Sequence, residues 1–184
     1  MEILTALGLS IPAGLNAYIP LLAVALAQRF EWLELKAPFD VMGEWWMIAV
    51  IAILLVIEMV ADKVPAVDHV NDVIQTFIRP AAGGIVAVAA AGSATEASPW
   101  LLVLAGVLLA GGVHAAKATS RPVVNASTGG FGAPVASAVE DAGAVVLTVA
   151  AIVAPVLVVF LAAGLAYSLW RLWRRKQETG SYVA

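Results

Sequence analysis

A chain of 184 residues that is 62% hydrophobic and 12% charged, with no cysteine and a net charge of −3, departs from the half-apolar, quarter-charged make-up of soluble domains. Disulfides, iron–sulfur clusters and thiolate metal sites are excluded, and no basic stripe is present for a nucleic acid to bind. The composition predicts an all-α integral membrane protein in the lipid bilayer, with about five or six spans of ~20 residues in a single domain over residues 1–176 and a short polar tail over 177–184.

The first apolar run, Ile3 to Ala27, has no basic n-region and exceeds a signal-peptide core, so it reads as a retained span. Pro12, Gly14, Asn16 and Pro20 weaken its middle turns, because each proline removes an intrahelical donor and restricts the residue before it. Asn16 is the polar group nearest that weak point. It either bonds a neighbouring helix or lines a path. Gln28 to Glu44 form a polar, aromatic loop in which Trp32, Trp45 and Trp46 mark interface depth. Glu31, Glu34, Asp40 and Glu44 outnumber Arg29 and Lys36 there, which suits the outer side. The second span, Trp45 to about Ala61, closes on Glu58 and Asp62, four residues apart and therefore on one helix face.

The stretch Glu58 to Gly84 gathers Glu58, Asp62, Lys63, Asp68, His69, Asp72 and Arg79 into an otherwise nearly uncharged chain. After Pro65 the apolar and polar positions alternate with helical period. A short amphipathic helix is expected, with Asp68 at or near its N-cap and Asp72 one turn further on. Arg79-Pro80 is expected to stop that helix and open a third span, Pro80 to Thr95, whose Ala, Gly and Val place it inside the bundle. Ser98-Pro99 begins a fourth span to about Ala118, with His114 and Lys117 near its end.

A loop is predicted over Thr119 to Ala133. Its glycine-rich turn, Ser127 to Gly132, either points amides at an anion or only permits a tight bend. From Pro134 to Trp173 the chain is apolar except for Ser137, Glu140, Asp141 and Thr148. Those forty residues would make a helix of ~60 Å, too long for one ordinary span. Either two spans meet near Pro155, or a re-entrant piece carrying Glu140 and Asp141 feeds one long helix. Tyr167, Trp170 and Trp173 followed by Arg171, Arg174, Arg175 and Lys176 have the pattern of a cytoplasmic end. The basic-residue bias favours six spans with both termini cytoplasmic, or five if the last two are one helix.

Arg121-Pro122-Val123-Val124-Asn125 echoes Val64-Pro65-Ala66-Val67-Asp68, and Phe131-Gly132-Ala133-Pro134 echoes Phe77-Ile78-Arg79-Pro80. The echo suggests an internal repeat of two Pro/Gly-broken polar hairpins facing one another. Gly14-Leu15-Asn16-Ala17-Tyr18-Ile19-Pro20, Glu58 with Pro65-Ala66-Val67-Asp68 and Pro80-Ala81-Ala82, and Thr128 to Pro134 with Glu140-Asp141-Ala142-Gly143-Ala144 together resemble the bacterial membrane family called domain of unknown function 4126. The family has no established activity. The resemblance implies an architecture and a bacterial inner-membrane location, and leaves the function to the residues.

A charged side chain at bilayer depth costs several kcal/mol, so it is paired, buried in a bundle or facing water. The candidate ion or substrate path comprises Asn16, Glu58, Asp62, Lys63, Asp68, Asp72, Arg79, Arg121, Asn125, Thr128, Glu140 and Asp141. The alternative for its acids is structural pairing with Lys63, Lys117 or Arg121. Glu140 and Asp141 are adjacent and cannot share a face, so at most one is expected in a common site. His69 and His114 are weak metal-ligand candidates, with nearby acids for a hydrolase or with each other for haem. No cofactor is otherwise expected. The leading functional expectation is a small transporter or channel for a cation, a proton or a small solute. An anionic solute or lipid headgroup held by Lys63, Arg79, Lys117 and Arg121 is a variant of it. The alternative is a non-catalytic scaffold, including a homodimer, whose small-residue faces would fail on Gly84→Leu or Gly112→Leu.

Overall fold

The helix breaks follow the prolines and glycines only in part. In the computed structural model, which describes residues 2–35, 37–63, 65–92, 96–129, 132–157, 160 and 164 (with side chains left out at 65–70 and 122–127), the described residues are mostly α-helical. These are α1 (Glu2–Ala13), α2 (Tyr18–Arg29), α3 (Trp45–Ala61), α4 (Pro65–Ala89), α5 (Pro99–Thr128) and α6 (Gly132–Val153), with a 3-10 turn at Phe39–Gly43 before α3.

The first apolar run is two helices. At its weak point the chain leaves helical geometry over residues 14–17, and Asn16 accepts the free amides of Tyr18 at 3.1 Å and Ile19 at 3.2 Å, capping α2 from within the run. Each half has 12 residues, a rise of ~18 Å against a hydrocarbon core of ~30 Å. Neither half crosses alone.

The expected stop at Arg79-Pro80 does not occur. α4 runs straight through Pro80 to Ala89. A proline inside a helix forfeits one backbone bond and crowds the preceding turn, but α4 and α5 share the most extensive contact in the bundle, and Gly111 of α5 faces the Pro80 ring, where an added Cβ would sit 3.6 Å from Pro80 Cγ. The third apolar stretch is buried as expected, with Val86, Ala87, Ala89 and Ala90 fully enclosed.

The loop expected from Thr119 is likewise helix as far as Thr128. Thr119 and Ser120 turn their hydroxyls back onto carbonyls of the preceding turn rather than breaking it. α5 ends at Thr128 and α6 begins at Gly132, and Gly129 after α5 has φ +60°, a conformation glycine adopts without steric cost. The echoed prolines therefore occupy different places, Pro65 at the start of α4 and Pro122 inside α5, so the local structure does not repeat.

Pro99–Arg121 and Gly132–Val153 are long and apolar enough to cross a membrane, and only 28% of an apolar 18-residue stretch within each is buried in the protein. Apolar side chains instead cover the outside: Ile53, Val56 and Ile57 on α3, Leu101 and Leu108 on α5, Val139 and Val146 on α6 are all exposed. Such continuous apolar surface marks contact with lipid or another protein. α6 ends at Val153, and the helix resumes at Pro155. Trp170, Trp173, the basic run Arg171 to Lys176 and the tail at 177–184 lie outside the described residues, as does Lys36.

Inside, the bundle has unlike halves. Leu9, Val24, Val86 and Leu102 belong to an apolar core that draws on every helix. Beyond it, towards the second half of α5, the interior is charged.

Candidate functional site: a buried ion-pair cluster

The cluster follows from spacing on each helix. Glu58 and Asp62 share the inner face at the end of α3, as expected from their separation. On α4, Asp72, Thr76 and Arg79 recur at intervals of a helical turn, and on α5 His114, Lys117 and Arg121 do the same. Packing those faces together brings opposite charges into contact.

Arg79 is fully buried and gives Nη2 and Nε to Glu58 Oε1 at 2.9 and 3.2 Å. Its Nη2 also reaches Asp62 Oδ2 at 3.4 Å. Asp62 is the hub: Oδ2 accepts from Lys117 at 3.1 Å and Arg121 at 3.4 Å, while Oδ1 accepts from Asn71 at 2.7 Å. Glu140 Oε2 takes Arg121 at 2.7 Å and Lys117 at 3.0 Å. Asp72 lies at the edge, its Oδ2 4.0 Å from Arg121 Nη1. Glu58 Oε2 and Asp72 Oδ1 are buried and have no hydrogen-bond partner among the described residues.

Asp141 belongs to the same region but to other partners. It accepts from Asn16 Nδ2 at 3.0 Å and from Lys63, the one half-solvated cation of the group, at 3.3 Å. The two adjacent acids do not share a face: Glu140 joins the ion pairs of Lys117 and Arg121, and Asp141 is held apart by Asn16 and Lys63. Positions about 100° apart around α6 reach different neighbours, Glu140 towards α5 and Asp141 towards the break between α1 and α2. Asn16 thus caps α2 with its oxygen and holds Asp141 with its nitrogen. Asn16→Ala is expected to cost about 2–3 kcal/mol of stability, from a lost cap and an under-bonded buried carboxylate, read as a lower thermal unfolding midpoint in detergent.

His114 is buried between α4 and α5. Arg79 Nη1 lies 3.1 Å from its Nδ1 and Thr76 Oγ1 lies 3.1 Å from its Nε2. Arginine only donates, so Nδ1 accepts and the ring proton sits on Nε2, facing the Thr76 hydroxyl, which itself donates to the Asp72 carbonyl at 2.8 Å. Both ring nitrogens are engaged, which leaves no lone pair for haem or a metal. Among the described residues no group of three or more His, Cys, Asp or Glu is arranged to hold a metal ion.

The structure therefore gathers Asn16, Glu58, Asp62, Lys63, Asp72, Arg79, Arg121, Glu140 and Asp141. Thr128 is not among them. It is exposed at the α5–α6 turn, where its hydroxyl accepts the Gly132 amide at 2.9 Å, so that amide is satisfied within the turn. The side chains of Asp68, His69 and Asn125 lie outside the described residues. Sequence reasoning undervalued Lys117, Thr76 and Asn71. The signal for Lys117 was available, since it shares the turn-by-turn register of His114 and Arg121 in an apolar helix.

A family profile described as Domain of unknown function (DUF4126) matches residues 3–175. The chain belongs to this family. The match takes in every helix named above, so the cluster and the broken first run both lie within the family domain. No curated protein and no solved structure matches the chain.

Proposed function

We propose that the protein is a small, non-enzymatic transporter or channel of the bacterial inner membrane, moving a cation or proton along the buried ion-pair cluster and the break between α1 and α2. The observation that carries this reading is the burial of Glu58, Asp62, Arg79 and Lys117 together, each almost wholly enclosed, inside helices whose outer faces are apolar. Buried ion pairs contribute little net stability, because the cost of removing the charges from water cancels most of their attraction. An apolar core would hold these helices equally well. Intramembrane charge at an interrupted helix is instead the usual dress of an ion site, where free carbonyls and helix ends supply oxygens. In this reading α1 and α2 form one interrupted span. The C-terminal stretch adds a further span after Pro155, giving six with both termini in the cytoplasm.

The decisive test is ion and proton flux in proteoliposomes. Wild type is expected to conduct or exchange, and Glu58→Gln and Glu140→Gln to reduce flux at least tenfold while the protein remains folded. Absence of flux from folded wild type for protons and for Na⁺ and K⁺ would sink this reading. The scaffold alternative, in which the exposed helix faces bind another membrane protein or a second copy, would then take its place.

A further inference from the structure

The Lys117 ammonium has an unusual setting. Nζ lies 3.1 Å from the Leu15 carbonyl oxygen, 3.1 Å from Asp62 Oδ2 and 3.0 Å from Glu140 Oε2, and the side chain is 1% exposed. Leu15 sits in the break between α1 and α2. In an unbroken helix its carbonyl would bond the Ile19 amide, but that amide turns to Asn16 Oδ1. The break therefore aims a backbone oxygen at a point that carboxylates of α3 and α6 also face. A helix-break carbonyl joined by carboxylates from neighbouring helices is a donor set suited to an alkali cation.

We propose that Leu15 O, Asp62 Oδ2 and Glu140 Oε2 form a monovalent-cation site that the native protein fills with its own tethered ammonium, Lys117. The charge balance points to a single positive charge. Arg79 and Arg121 already bond Asp62, and Arg121 bonds Glu140. Glu58, Asp62 and Glu140, the carboxylates within 3.4 Å of those guanidinium groups, lack one positive charge when Lys117 is removed, Asp72 standing further off at 4.0 Å from Arg121. This deepens the transport reading and rests on it for its part in flux, where a free cation and the Lys117 side chain compete for the same oxygens.

The test reads binding alone. Thermal unfolding of purified Lys117→Ala is measured in chloride salts of Na⁺, K⁺, ammonium and choline at equal ionic strength, beside wild type. Wild type is expected to respond alike to all four. Lys117→Ala is expected to gain about 3–6 °C over choline when Na⁺, K⁺ or ammonium stands at about ten times its dissociation constant, and to be recovered by those ions if it is unfolded in choline. The double variant Lys117→Ala/Glu140→Gln, with its charge rebalanced, is expected to lose that preference. The site is refuted if Lys117→Ala behaves identically in all four salts, folded or unfolded, or if the double variant keeps the preference. Cation binding by Lys117→Ala with no flux from wild type would refute transport and leave the site standing. Flux from wild type with no cation effect on Lys117→Ala would do the reverse.

Discussion

Arg79→Ala is expected to lower the unfolding midpoint by about 6–20 °C, because it leaves Glu58 buried without its partner, a loss of about 3–5 kcal/mol, and a chain of this size loses a few degrees per kcal/mol. Glu58 and Arg79 are 1% and 0% exposed, so neither water nor a swinging surface side chain can substitute. Asp62 suffers less, since Lys117 and Arg121 remain bonded to it. The double change Arg79→Met/Glu58→Leu removes both charges and is expected to recover most of the lost stability. Failure of that recovery, measured in the same detergent, would mean that the pair contributes to folding in its own right, which undercuts the argument that it is retained for function.

Gly106→Ala is expected to be the other severe change. Gly83 of α4 and Gly106 of α5 meet backbone to backbone, and a Cβ on Gly106 would be driven onto the Gly83 carbonyl and to 2.8 Å from Ala87 Cβ. Backbone cannot yield as a side chain can, so the helices must separate, at a cost on the order of 3 kcal/mol. Gly112 is only six positions further along α5, yet a Cβ there meets nothing within 4 Å among the described residues. Gly112→Leu is therefore expected to leave the fold intact, contrary to what its place in a small-residue run suggests. Comparing the two variants by thermal unfolding separates tight packing from mere glycine content. If Gly112→Leu disrupts the protein, another molecule covers that face.

Much of this was legible in the residues. The apolar run marked α3 closely, and the prolines around Asn16 marked the interrupted first run, because a missing donor is a local property. Arg79-Pro80 and the stretch after Thr119 were misread as helix ends for the opposite reason. Whether a proline ends a helix depends on what packs against the neighbouring turns, and Gly111 opposite Pro80 lies thirty-one residues away in sequence. The site was visible as an excess of charge in an apolar chain. Its wiring was not, since the sharing of Asp62 among Arg79, Lys117 and Arg121 depends on the crossing of α3, α4 and α5. Glu140 and Asp141 show the same limit: adjacency fixes the angle between two side chains but not how many neighbours stand ready to receive them.

The placement of charge within and hydrocarbon without reverses the usual meaning of denaturation. In a water-soluble protein, unfolding is what uncovers sticky surface. Here the native surface itself carries Ile53, Leu101, Leu108 and Val146, and under the proposed membrane setting loss of the surrounding amphiphile would expose them with the described helices still in place. Precipitation on dilution would therefore report stripping of the solubilising layer rather than instability, and a variant judged by yield alone could be discarded while correctly folded.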